Sequence, residues 1–248
     1  MAVPLRANAA EIVVNIKTMK KILTNNISKF VYISFALTVL STLLYVIPSG
    51  DLNWLMILWN VFLAVIPLFC AMFANKFMQA KRKAPTVIFL ALWLLFFPNS
   101  PYMITDIKYS SSFSGSVYMD YGTIAENINA WLLVFSIAVS VLIGIIYGML
   151  SLYIVHTMLK KRFGMVANGA IITAVLLISS FGVYIGRFAR VNSWDIVRPM
   201  FLFDTVMQSM TSFMPVFVAL LTITLIIIYL IFYYLLKGNF LKVSLKTT

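Results

Sequence analysis

Hydrophobic positions along the chain gather into six long runs separated by short polar or charged segments. The runs cover residues 30–47, 52–74, 86–104, 128–155, 166–186 and 213–236. Each approaches or exceeds the roughly 20 apolar residues that a helix needs to cross a hydrocarbon core. Backbone polar groups in lipid must be satisfied within their own segment, which predicts helices throughout. A membrane β-barrel requires alternating segments of about ten residues. These runs do not alternate. The expected fold class is all-α, a polytopic transmembrane helical bundle of six spans.

The flanks differ from the runs. Residues 1–29 and 237–248 are basic, and no Pro- or Gly-rich linker divides the chain between them. The expected organisation is one membrane domain, 30–236, between a cytoplasmic N-terminal segment and a cytoplasmic tail. Within the first 29 residues, Ile12, Ile16, Met19 and Leu23 recur at helical spacing with Lys17, Lys20 and Lys21 among them. That pattern suits a short basic helix lying on an anionic leaflet. The first run follows a long basic region and has no A-x-A site after Pro48. It reads as a retained span, not a cleaved signal peptide.

Composition strengthens the membrane reading. Of 248 residues, 62% are hydrophobic and 10% are charged. Soluble domains carry about 25% charged residues, so a water-soluble fold here would have no polar coat. The net charge of +12 suggests nucleic acid until the loops are compared. With the N-terminus inside, fifteen Lys and Arg fall in inner segments. Only Lys108, Arg187, Arg190 and Arg198 fall outside. Every loop then obeys the positive-inside rule. The expected location is the cytoplasmic membrane, with both termini cytoplasmic. The expected partners are the bilayer, anionic lipid headgroups and other membrane proteins. Basic residues that sort by membrane side give no stripe for nucleic acid.

Cofactor chemistry has little to work with. Cys70 and His156 are the single Cys and His. One thiol forms no intrachain disulfide, and the two cannot complete the ligand sets that zinc favours. No metal or cofactor is expected, and both residues read as packing or interface. Phosphate-loop, dinucleotide, nucleophile-elbow and zinc-protease motifs are all absent.

Two polar constellations fall on the expected outer side. The first follows Phe97 and runs Pro98-Asn99-Ser100-Pro101-Tyr102 to Thr105-Asp106. From Thr86 to Phe97 the third span has twelve residues, about 18 Å of helix, against a core about 30 Å thick. The prolines therefore interrupt it before it clears the hydrocarbon. Non-helical backbone at such depth is expected to line a cavity or to lie buried in protein. It is either a site wall or a kink whose freed carbonyls Asn99 and Thr105 satisfy.

The second constellation ends the fifth span: Tyr184-Ile185-Gly186-Arg187, Arg190, then Asn192-Ser193-Trp194-Asp195. If the helix continues, Arg187 and Arg190 share a face. Their planar donor forks suit phosphate or carboxylate. Asp106 and Asp195 are both their candidate partners and the candidate catalytic acid–base groups. Asn99, Tyr102, Thr105, Tyr184, Arg187, Arg190, Asn192 and Trp194 are the candidate binding residues.

Packing has its own signature. Ser136, Ser140, Gly144 and Gly148 recur every four residues, and Gly182 and Gly186 repeat the device. Small residues at that period let helices approach closely. Trp54 and Trp131 open the second and fourth spans, where aromatic belts sit. Residues 110–116 form a Ser-rich loop. Residues 200–210 place Met200, Phe203, Met207 and Met210 on one helical face behind Pro199. They read as an interfacial connector or a lid.

The proline motif and the arginine motif together resemble those of an uncharacterised bacterial membrane family, domain of unknown function 1361. The similarity extends from roughly the first span to the last. It implies a multi-helix protein of the bacterial cytoplasmic membrane and implies no activity. Where many members carry His after the Thr-Asp pair, this chain has Lys108 and Tyr109. Where a bulky aromatic precedes Asn192, it has Val191.

Three functional readings stay open. A structural or partner-binding subunit stands first. A transporter or binding protein for a small anion or lipid headgroup stands second. An enzyme acting on a lipid-linked or phosphate-bearing substrate stands third.

Overall fold

The computed structural model describes residues 9–114, 127–160 and 162–238, with side chains over 26–108, 127–160, 162–164 and 166–236. Among the described residues there is no strand. The helices are α1 (Ala9–Ser49), α2 (Met56–Gln79), α3 (Lys83–Phe96) and α4 (Asn99–Tyr102). After them come α5 (Ile128–Lys160), α6 (Met165–Tyr184), α7 (Pro199–Ser209) and α8 (Phe213–Gly238). Six helical stretches are long and apolar enough to cross a membrane, and they coincide with the six hydrophobic runs. The chain is a multi-pass helical bundle.

Large apolar side chains remain on the outside of that bundle, among them Ile33, Leu142, Leu220 and Ile231. In water such a surface would aggregate. In a bilayer it meets lipid tails of its own polarity. The backbone of α1 continues as one helix from Ala9 through the first span. The side chains of the basic repeat at Ile12–Leu23 lie outside the described ones. So do Asp120, Glu126 and most of the basic tail.

The long helix α5 is the central mast. It packs on α1, α2, α4, α6 and α8. Two buried clusters meet along it. One joins Trp93, Phe97, Leu152, Leu176 and Leu225, and the other joins Tyr45, Val61, Leu68, Leu133 and Tyr147. Lipid gives helices no hydrophobic reason to associate, so close packing and polar pins must hold them. The pins are visible. Ser34 Oγ and Tyr147 Oη lie 2.6 Å apart across α1 and α5. Trp93 Nε1 donates to Ser151 Oγ at 3.2 Å, and Ser136 Oγ donates to Thr42 Oγ1 at 3.4 Å. Cys70 is buried in the core. His156 Nδ1 lies 2.5 Å from Tyr229 Oη and its ring stacks on Tyr233.

The third span departs from the expected unwound backbone. It breaks over only Phe97 and Pro98, resumes as the single turn α4, and continues as a 3-10 helix, Met103–Ser114. The expected Ser-rich loop thus joins that 3-10 segment as far as Ser114, and its last two residues lie outside the described ones. Partners for the freed carbonyls explain why so little unwinds. Asn99 Nδ2 donates to Phe96 O at 2.9 Å, Ser193 Oγ to Leu95 O at 3.3 Å, and Thr105 Oγ1 to Tyr102 O at 2.6 Å.

Four glycines cradle this broken stretch. A Cβ built on Gly144 would stand 2.5 Å from Met103 Cγ, and one on Gly148 would stand 2.7 Å from Ser100 Cβ. On α6, a Cβ at Gly182 would stand 2.9 Å from Pro98 Cγ. At Gly186 the nearest atom, on the Tyr102 ring, would be 3.5 Å away. The small-residue stripe therefore serves contact, as its period implies. Its glycine half holds the interrupted span, and Ser136 faces α1. Ser140 is buried and bonds back to Ser136 O.

Candidate functional site

The break brings Tyr102, Thr105 and Asp106 beside the end of α6. There the helix changes character. After Tyr184 it widens into a π-helical turn, Ile185–Ala189, and stops at Arg190, whose φ of 56° is left-handed. A non-glycine residue in that region costs about 1–2 kcal/mol. This ends the expected shared face. The wider turn and the left-handed residue send Arg190 away from Arg187.

Arg187 points inward. Its Nη1 donates to Asp106 Oδ1 at 3.2 Å and to Tyr102 Oη at 3.1 Å. Its Nη2 donates to the carbonyl of Thr105. The guanidinium carbon lies 5.2 Å from the centre of the Tyr102 ring, within cation–π range. Asp106 is 3% exposed. Its second oxygen accepts from Asn60 Nδ2 at 3.1 Å. A buried carboxylate demands such complete partnering, because leaving it alone costs several kcal/mol. The pair ties the third span to the fifth, and Asn60 adds the second.

Asp195 has different partners. It closes a capping box, accepting from the backbone N–H of Asn192 at 2.8 Å. The two carboxylates thus sit in separate networks. Tyr184 is buried, and its hydroxyl donates to Ser209 O at 2.6 Å, holding the end of α7 against α6. Trp194 is exposed. Among the described residues no group of three His, Cys, Asp or Glu side chains comes together to hold a metal ion.

Two cavities flank Tyr102 and Gly186. One, of about 540 Å³, lies among α2, α3, α6 and the 191–196 segment. Its polar lining is Asn60, Asn99, Tyr102, Asn192 and Ser193, beside Trp59 and Phe181, and no charged residue lines it. The other, of about 890 Å³, is lined by Lys108, Arg187 and Arg190 together with Thr105, Asn192 and Thr224. Its apolar wall is Phe188, Phe213, Phe217, Leu220 and Leu221. No Asp or Glu lines it.

A family model matches residues 59–228, from early in α2 to well into α8. Its description is protein of unknown function (DUF1361). The chain belongs to the DUF1361 family. The match covers both motifs and both cavities, and leaves α1 outside it. Comparison with curated proteins and with solved structures yields no match for this DUF1361 chain.

Of the sequence-derived candidates, Asn99, Tyr102, Thr105, Arg187, Arg190 and Asn192 line one or both cavities. Tyr184, Trp194, Asp106 and Asp195 line neither. Asn60 was missed, although an amide inside an apolar run is itself a signal. Lys108 was counted only as a loop charge. Trp59, Phe213 and Phe217 carry no signal that separates them from ordinary lipid-facing residues.

Proposed function

We propose that this integral membrane protein binds an anionic amphiphile, with its phosphate or carboxylate held against Lys108, Arg187 and Arg190. The tail would lie along Phe213, Phe217, Leu220 and Leu221. The observation that carries this reading is the 890 Å³ cavity with three cationic side chains and no carboxylate in its lining. Arginine forks suit phosphate and carboxylate oxygens. Ligand sites are commonly cavities of about 300–1,000 Å³ with apolar walls and a few placed polar groups.

The reading divides the labour between two arginines. Arg187 is held by Asp106, Tyr102 and Thr105 and serves the fold as well as the cavity wall. Arg190 makes no ion pair among the described residues and is exposed at the cavity. Acid–base catalysis draws less support, since Asp106 and Asp195 are engaged elsewhere and line neither cavity. The charge bias of the loops puts this end of the bundle on the outer side of the cytoplasmic membrane.

Lipid titrations followed by native mass spectrometry test the proposal. The purified protein should retain phosphatidylglycerol in preference to phosphatidylcholine. Arg190→Ala should weaken phosphatidylglycerol roughly tenfold or more, the worth of one hydrogen bond to a charged group. Equal retention of the two lipids by the unaltered protein would refute it.

A further inference from the structure

The second cavity asks for its own occupant. It abuts the cationic one, because Tyr102, Gly186 and Asn192 line both. Its chemistry is different. Amides and a hydroxyl supply donors and acceptors without charge, and Trp59 adds an aromatic surface. Asn60 and Asn99 each spend their amide hydrogens on protein acceptors, Asp106 for one and Phe96 O and Ser193 Oγ for the other. Their Oδ1 atoms accept nothing from the described residues.

We infer that the two cavities hold one ligand, a lipid phosphate esterified to a sugar. This rests on the headgroup-binding reading above and names its ligand class. Hydroxyl groups donate and accept at once, which matches a wall of amides and a serine. The C–H face of a sugar ring suits an aromatic side chain, through weak C–H contacts with its negative face. The phosphate would sit at the Arg187 and Arg190 side of Tyr102, and the sugar between Trp59 and Asn99. A zwitterionic headgroup fits less well. The neutral cavity has no carboxylate for its ammonium, and the adjoining one is cationic.

The test compares four probes on the full chain in a polyoxyethylene detergent, which carries no sugar of its own. They are a polyprenyl phosphate, the same lipid bearing a hexose on its phosphate, glucose 1-phosphate, and phosphatidylcholine. The hexose-bearing lipid should bind about tenfold more tightly than the bare lipid phosphate, the worth of one or two neutral hydrogen bonds. In Asn99→Ala and in Trp59→Ala that ratio should fall to about one. The ratio is internal to each variant, so lost stability does not imitate the effect, and Trp59 is a half-exposed position. Equal binding of both polyprenyl lipids by the unaltered protein would overturn the sugar assignment and leave the anionic-headgroup reading standing. Binding of neither would overturn both. Glucose 1-phosphate binding as tightly as the glycosylated lipid would remove the tail from the assignment. Phosphatidylcholine matching the glycosylated lipid would overturn the ligand class.

Discussion

Pro98 presses so closely on Gly182 that a Cβ on the glycine would stand 2.9 Å from the proline ring. Overpacking of this kind typically costs about 1–3 kcal/mol. Gly182→Ala and Gly148→Ala should therefore lower the melting temperature in detergent. Gly169→Ala is the control, since a Cβ there would meet nothing within 4 Å. It should be neutral or stabilising by up to about 1 kcal/mol, through helix propensity alone. Equal losses at all three positions would show that the cradle does not discriminate.

The Asp106–Arg187 pair should behave as a coupled unit. Asp106→Asn or Arg187→Met alone leaves a buried charge uncompensated and should cost about 3–5 kcal/mol. The double variant should recover much of that loss, so the two effects are strongly non-additive. Thermal unfolding of the four proteins closes the cycle. Additive losses would mean that the 3.2 Å contact contributes nothing to stability.

Tyr184 anchors α7 through Ser209 O and lies 3.2 Å from Thr211 Oγ1. Tyr184→Phe removes that hydroxyl while keeping the ring. The expected loss is about 1 kcal/mol. Hydrogen exchange across α7 should accelerate while α5 stays protected. If exchange in α7 does not change, the tether is not what holds it.

Membrane orientation has a direct readout. In a Cys70→Ser background, cysteines placed at Asp51 and Trp194 should react with an impermeant thiol reagent applied to intact cells. A cysteine at Lys81 should react only after permeabilisation. The reverse pattern would invert the topology argued from the loop charges.

Much of the fold was legible because lipid imposes a coarse demand. A run long enough to span must be helical, and six runs became six spans. Asn99 and Thr105 were legible too, as residues able to satisfy carbonyls freed by Pro98 and Pro101. The third span kept more helix than expected because Ser193 adds a partner from 98 residues away. No local pattern reveals such a contact. Arg190 escaped for another reason. Nothing in Tyr184-Ile185-Gly186-Arg187 announces a π turn, and no propensity places an arginine in the left-handed region. The partner of the glycine stripe was also hidden, since periodicity names a face and not what rests on it.

The π turn has a consequence of its own. It holds extra residue length in a helix that otherwise advances about 100° per residue, so it sets the rotational phase of everything beyond Tyr184. Removing one residue from Ile185–Ala189 would let the α-helix close and swing the following side chains by about that angle. Arg187 would turn off Asp106, and the end of α6 would lose its registration with the third span. In this chain a single-codon deletion there would be a rotation of the site, whereas the same deletion in the 115–126 connection would only shorten a loop.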